Sequence, residues 1–148
     1  MISSSSIDID APADLVWEVF SNVEHWPDWT ASVTRLRGLD GAQLAVGRHF
    51  EIKQPRMPRL VWTVTELEPG ASWTWEQRSP GGLTTARHDV VPTADGRTVV
   101  RQELVQRGIL GSVVGVLMRQ MTQRYLTMEA QGLKASSEGL RKLRGSNA

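Results

Sequence analysis

Cysteine is absent from the 148 residues, so disulfides, thiolate nucleophiles and Cys-ligated zinc are all excluded. Neither sign of charge is in excess: 17 Lys and Arg face 16 Asp and Glu, for a net charge of +1. A polyanion-coating protein needs a basic surplus, so nucleic acid is not an expected partner. Long apolar runs are missing too. The longest, Gly108 to Met118, falls well short of the ~20 residues that span a bilayer, so no membrane-spanning segment is expected. The opening MISSSSIDIDAP has no basic start, apolar stretch or small-residue cleavage site, and it does not read as a signal peptide. The cytoplasm is the expected compartment. No GxGxxG, P-loop, GxSxG or HExxH pattern occurs, and His25, His49 and His88 lie far apart in sequence. No catalytic set, metal site or cofactor is expected from them. Asp8 and Asp10 share one strand face but belong to a surface pattern, which argues against paired-carboxylate chemistry.

What remains is an ordinary globular composition, 40% hydrophobic and 22% charged, of a length that suits one domain over residues 1–148. Phe and Tyr are scarce, and six of the nine aromatics are Trp. Indole joins a large apolar body to one N–H that needs a partner, which favours an aromatic-walled pocket.

Ile7, Asp8, Ile9 and Asp10 alternate as in a half-buried strand running from about Ile2 to Asp10. Pro12 then opens a short helix whose Leu15, Val16, Val19 and Phe20 recur at helical spacing, and Pro27 predicts a second short turn around His25 to Trp29. Turn signals at Gly38 to Gly41, Pro55 to Pro58, Pro69-Gly70, Pro80 to Gly82 and Asp95-Gly96 divide the middle of the chain into six β-type runs. These cover about Ser32 to Leu39, Gly47 to Gln54, Leu60 to Glu68, Ala71 to Ser79, Leu83 to Pro92 and Thr98 to Gln106. One long helix, about Leu110 to Leu143, closes the chain, with Leu110, Val114, Leu117, Met121, Tyr125, Met128 and Leu140 on one face. The order predicts an α+β fold in which a curved seven-stranded antiparallel sheet grips the terminal helix. A bent sheet cannot meet a rod along its whole length, and the space between them is either filled by large side chains or left as a cavity, which is where such an architecture would bind a ligand.

Turn lengths set the register. A two-residue Pro69-Gly70 turn places Val64 opposite Trp75 and Trp62 opposite Gln77. A four-residue Pro80 to Leu83 loop places Trp75 opposite His88 and Trp73 opposite Val90. For the Asp95-Gly96 hairpin, Gln102 is preferred over Glu103 as the partner of His88, because that register matches Val90 with Val100 and keeps a charge out of the cavity. The face carrying Trp62, Val64, Trp73, Trp75, Gln77, His88 and Gln102 is therefore the predicted concave one.

The opening IDIDAPADLVWEVFSNVEHWPDW, the middle VGRHFEIKQPRMPRLVWTVTELEPGASWTWEQRSPGG and the ending ARHDVVPTADGRTVVRQELVQRGILG with its long helix resemble the START-like SRPBCC superfamily, in its polyketide cyclase/dehydrase and lipid-transport branch. The resemblance covers almost the whole chain. It implies a helix-grip fold with a deep apolar cavity used for lipids, polyketides, sterols or quinones. It carries over no catalytic residue; Trp75 and His88 match the cavity-facing pattern.

The expected function is binding of a hydrophobic or aromatic small molecule against Trp62, Val64, Trp73, Trp75, Gln77, His88, Gln102, Leu117, Met121 and Tyr125. His88 is either a ligand donor or a satisfied core histidine, and Tyr125 points either inward or to solvent. The enzyme alternative is a cyclase or aromatase using His88 as acid or base; the third reading is an interaction module. Six basic residues beyond Met118 against two glutamates suit either the dipole at a helix C-terminus or transient contact with an anionic membrane. The expected oligomeric state is a monomer or homodimer. Arg56 and Arg59 flank the Met57-Pro58 loop as candidate gatekeepers of the cavity mouth.

Overall fold

The structure, a computed structural model, describes residues 1–146; the last two positions of the expected domain and of its basic segment lie outside it. Seven antiparallel strands form one sheet in the order β1-β7-β6-β5-β4-β3-β2. They are β1 (Ile2–Ile9), β2 (Arg35–Gly38), β3 (His49–Lys53), β4 (Leu60–Glu68), β5 (Ser72–Ser79), β6 (Gly82–Pro92) and β7 (Thr98–Arg107). Helix α1 (Ala13–Ser21) and a 3-10 turn (Val23–Asp28) connect β1 to β2, and α2 (Ile109–Leu117) and α3 (Arg119–Ser146) follow the sheet. This is the helix-grip arrangement expected from the sequence.

Turn chemistry explains the meander, with corrections of register. Ala71 N–H closes on Glu68 C=O, so the Pro69-Gly70 turn takes Ala71 as well and Glu68 pairs with Ser72. A bulge between Val64 and Glu66 removes the extra residue, and Val64 ends opposite Trp75 as expected. The next hairpin is tighter than expected. Ser79 pairs with Gly82 around Pro80-Gly81, with Gly81 at φ +73°, so His88 lies opposite Trp73, and Trp75 lies opposite Ala86. A two-residue slip leaves every side chain on its face. In the last hairpin His88 meets Gln102 and Val90 meets Val100, the preferred register.

The expected single terminal helix is two. Gly111, Gly115 and three β-branched valines make α2 a weak helix, and it turns at Met118 before α3. Gly108, at φ +87°, turns the chain out of β7, and the Leu110 and Gly111 N–H groups donate to Gly81 C=O, pinning α2 to the β5–β6 turn. A Cβ on Gly108 would stand 2.6 Å from that same oxygen, so the close approach requires glycine. Helix α3 buries Leu126, Glu129, Ala130, Leu133 and Ser137, a stripe one position around from the expected Tyr125 and Met128.

One half of the space between sheet and helices is filled. Trp73, Phe20, Trp26, Val16, Val23 and Leu133 are fully or nearly fully buried there. Trp26 donates its indole N–H to Phe20 C=O at 2.8 Å and stacks on Phe20 at 5.5 Å, tying the 3-10 turn to α1. The other half stays open.

Candidate functional site

That open half is a cavity of about 510 Å³ between the sheet, α2 and the first turns of α3. The alternation of β4 and β5 brings Trp62 and Trp75 to its wall, their ring centroids 6.0 Å apart, and Trp26 joins them from the 3-10 turn, 5.9 Å from Trp75. Ile52, Leu60, Ala86, Leu104, Val114, Met118, Met121 and Leu126 complete an apolar lining. Gln54 to Pro58, the loop between β3 and β4, borders the opening, and Arg56 within it adopts φ +63°. The Tyr125 hydroxyl donates to Pro55 C=O, so the tyrosine links the start of α3 to that loop.

Polar groups gather on the same wall, from β6, β7 and α3. His88 and Gln102 are cross-strand neighbours, both nearly inaccessible to solvent. His88 stacks on Trp73 with centroids 4.1 Å apart, and its Nδ1 lies 3.4 Å from Trp73 C=O. A carbonyl only accepts, so the proton sits on Nδ1 and Nε2 is left as an acceptor. Burial drives the imidazole pKa down to about 3, so His88 is neutral at physiological pH. Gln102 accepts a hydrogen bond from the Ser5 hydroxyl at Oε1 and donates through Nε2 to Glu129 at 2.9 Å. The other Glu129 oxygen accepts from the Ser32 hydroxyl at 3.2 Å. Burial raises the Glu129 carboxyl to about 7, and the bonds from Gln102 and Ser32 counter only part of that rise.

Trp62, Trp75, Gln77, His88, Gln102, Met121 and Tyr125 are brought together on the cavity wall. Gln77 is already engaged, donating to Arg78 C=O and the Ser79 hydroxyl. Three expected positions lie elsewhere. Val64 and Trp73 are fully buried outside the cavity lining, Trp73 behind His88, and Leu117 is 79% exposed at the end of α2. The sequence reading missed Glu129. A carboxylate interrupts a hydrophobic stripe, yet its spacing from Leu126 and Leu133 is the i, i+3, i+7 pattern that marks an inward position.

Comparison with known proteins fits this architecture. Residues 2–138 match the family described as polyketide cyclase / dehydrase and lipid transport, and the chain belongs to that family. Curated protein sequences give no significant match. Among solved structures, a START superfamily protein from Mycobacterium smegmatis superposes with a TM-score of 0.75 at 16% identity, over 94% of this chain and 98% of that one. A hypothetical protein from Helicobacter pylori gives 0.78 at 14% identity over 93% and 88%. The di-domain ARO/CYC protein BexL gives 0.69 at 16% identity, over 90% of this chain and 46% of that chain. At these identities the likeness is one of fold.

Proposed function

We propose that the protein binds a hydrophobic or aromatic small molecule in the cavity between the sheet and its terminal helices. The observation that carries this reading is a hollow of about 510 Å³, within the usual range for small-molecule sites, walled by Trp26, Trp62 and Trp75 and left open by a core that fills only its other half. Burial of ligand area at ~25 cal/mol per Å² supplies the affinity. Binding is favoured over cyclase chemistry because His88 holds its proton on Nδ1 against Trp73 C=O and strongly resists a second, which disfavours a cycle through the imidazolium. Titration with 1-naphthyl ligands, followed by calorimetry, is expected to give saturable one-to-one binding. A variant with Ala86→Trp, which fills the space beside Trp75, is expected to lose it. Equal binding by that variant would place the ligand elsewhere.

Transient contact with an anionic bilayer is a second element of the proposal, supported by α2. Ile109, Val113, Val116 and Leu117 are all more than half exposed on this helix. Segments 53–59 and 104–128, which border the cavity mouth, contain Lys53, Arg56, Arg59, Arg107, Arg119 and Arg124 and no acidic residue. Exposed apolar side chains in chain segments rich in cations match a negatively charged lipid surface. The protein is expected to sediment with phosphatidylserine-containing vesicles and not with pure phosphatidylcholine ones. Leu117→Asp should abolish this without lowering stability, since Leu117 packs on little; retained sedimentation would refute the contact. Among the described residues no helix is long and apolar enough to cross a membrane.

A further inference from the structure

At the polar end of the cavity two groups, Glu129 and His88, keep acceptor capacity that the protein leaves unused. A carboxylate offers about four acceptor sites, and Ser32 and Gln102 fill two at Glu129. The Ser5 hydroxyl on Gln102 Oε1 orients that amide so that its N–H₂ faces the carboxylate. Beside it, Nε2 of His88 is an acceptor without a hydrogen-bond partner among the described residues, since Nδ1 carries the proton toward Trp73 C=O. Among the described residues no Lys or Arg forms an ion pair with Glu129, and its only polar partners are Ser32 and Gln102. The other charged residues around the cavity are engaged or peripheral: Arg87 is paired with Asp89 and Glu66 on the outer face, Glu103 alternates to that face, and Arg56 lies on the border loop. A buried carboxylate without a counter-ion is costly, and a ligand that carries the missing charge relieves the cost.

We propose that the cavity selects a protonated amine borne on an aromatic or otherwise apolar body, with the ammonium donating to Glu129 and the body lying against Trp26, Trp62 and Trp75. This deepens the reading of the cavity as a ligand site and rests on it. The ammonium N–H groups fill the empty acceptor positions with charge-assisted bonds, and the indole faces attract the same cation. A fatty acid or other carboxylate would set a like charge against Glu129 at neutral pH and above.

Three probes of one shape separate the possibilities: 2-(1-naphthyl)ethylamine, 2-(1-naphthyl)ethanol and 1-naphthylacetate, titrated calorimetrically into the full chain at about pH 8. The amine is expected to bind at least about tenfold more tightly than either other probe, a difference of about 1.4 kcal/mol. Its affinity should rise between about pH 6 and pH 8 as Glu129 ionises, while the alcohol's stays flat. Glu129→Gln should erase the preference for the amine and leave alcohol binding intact. Amine binding no tighter than the alcohol's, or a preference that survives in Glu129→Gln, overturns this inference and leaves the cavity reading standing. Binding of none of the three overturns both.

Discussion

Replacing Glu129 with Gln is expected to raise the stability of the ligand-free protein by roughly 3 kcal/mol above pH 7 and to leave it almost unchanged near pH 4.5. Folding raises this carboxyl from the ordinary 4.5 to about 7. Between those values the unfolded chain has released its proton and the folded protein retains it, so stability falls as pH rises. Each pH unit across that interval is worth about 1.4 kcal/mol, which sets the size of the gain. Glutamine cannot ionise, and a turn of the Gln102 amide restores its bond to the new side chain, with Ser5 then donating or accepting as needed. His88 has the opposite sense. Its pKa falls from 6.5 to about 3 on folding, so its stability contribution is present above 6.5 and is lost as pH drops toward 3. The two slopes nearly cancel between pH 4.5 and 6.5. Wild type should therefore look flat in that window, while Glu129→Gln climbs with pH and His88→Phe descends. Urea unfolding at intervals from pH 4.5 to 8 reads this directly. A constant offset between Glu129→Gln and wild type across the range would mean that Glu129 does not titrate as a buried group.

A buried carboxyl with a perturbed pKa on a cavity wall is a candidate functional group, and its lining position is what sets it apart from a structural ion pair. The opposed shifts of Glu129 and His88 also sort their roles. The histidine is a neutral acceptor fixed by Trp73 C=O; the glutamate is the group whose charge responds to its surroundings.

The helix-grip outline was readable because turn residues at Pro69, Pro80 and Asp95 divide strands whose side chains alternate, and alternation tolerates even errors. The β5–β6 hairpin is two residues tighter than its Pro-Gly-Gly sequence suggested, which moved His88 from Trp75 to Trp73 without changing the face of any residue. The β4–β5 turn is one residue longer than expected, an odd error that would have inverted β4. The bulge near Thr65 restored the face, and no local residue announces that bulge. Depth along the inner face was harder to read than the face itself. Alternation cannot say which of two inward tryptophans meets the helices and which meets the cavity, and that choice depends on α1 and the 3-10 turn, whose Phe20 and Trp26 claim the space over Trp73. Glu129 was lost for a related reason: a hydrophobicity count treats a carboxylate as outward whatever its spacing, and its partners Gln102 and Ser32, 27 and 97 residues away in sequence, give it a place inside.

That division of the indoles carries the second large effect. Trp73→Ala is expected to cost about 4 kcal/mol, the usual range for a large aromatic removed from a packed core. Its side chain is completely buried, meets Trp17 and Phe20 edge-on at 5.7 and 4.8 Å, and forms the floor on which His88 stacks. The loss should appear as a lower urea midpoint, with release of His88 as well. The buried Trp73 indole N–H has no partner among the described residues, so removing it returns a small part of the cost. Trp62 sits on the cavity wall, its ring 6.0 Å from that of Trp75. Trp62→Leu should cost only about 1 to 2 kcal/mol, because leucine keeps part of the apolar contact and the lost volume merges with space already open. Ligand affinity should follow the reverse order. Trp62→Leu is expected to weaken naphthyl binding about tenfold, whereas the gentler Trp73→Phe should leave it within twofold while still lowering stability. If Trp73→Phe weakened the ligand more than Trp62→Leu did, the filled and open halves of the interior would have to be exchanged.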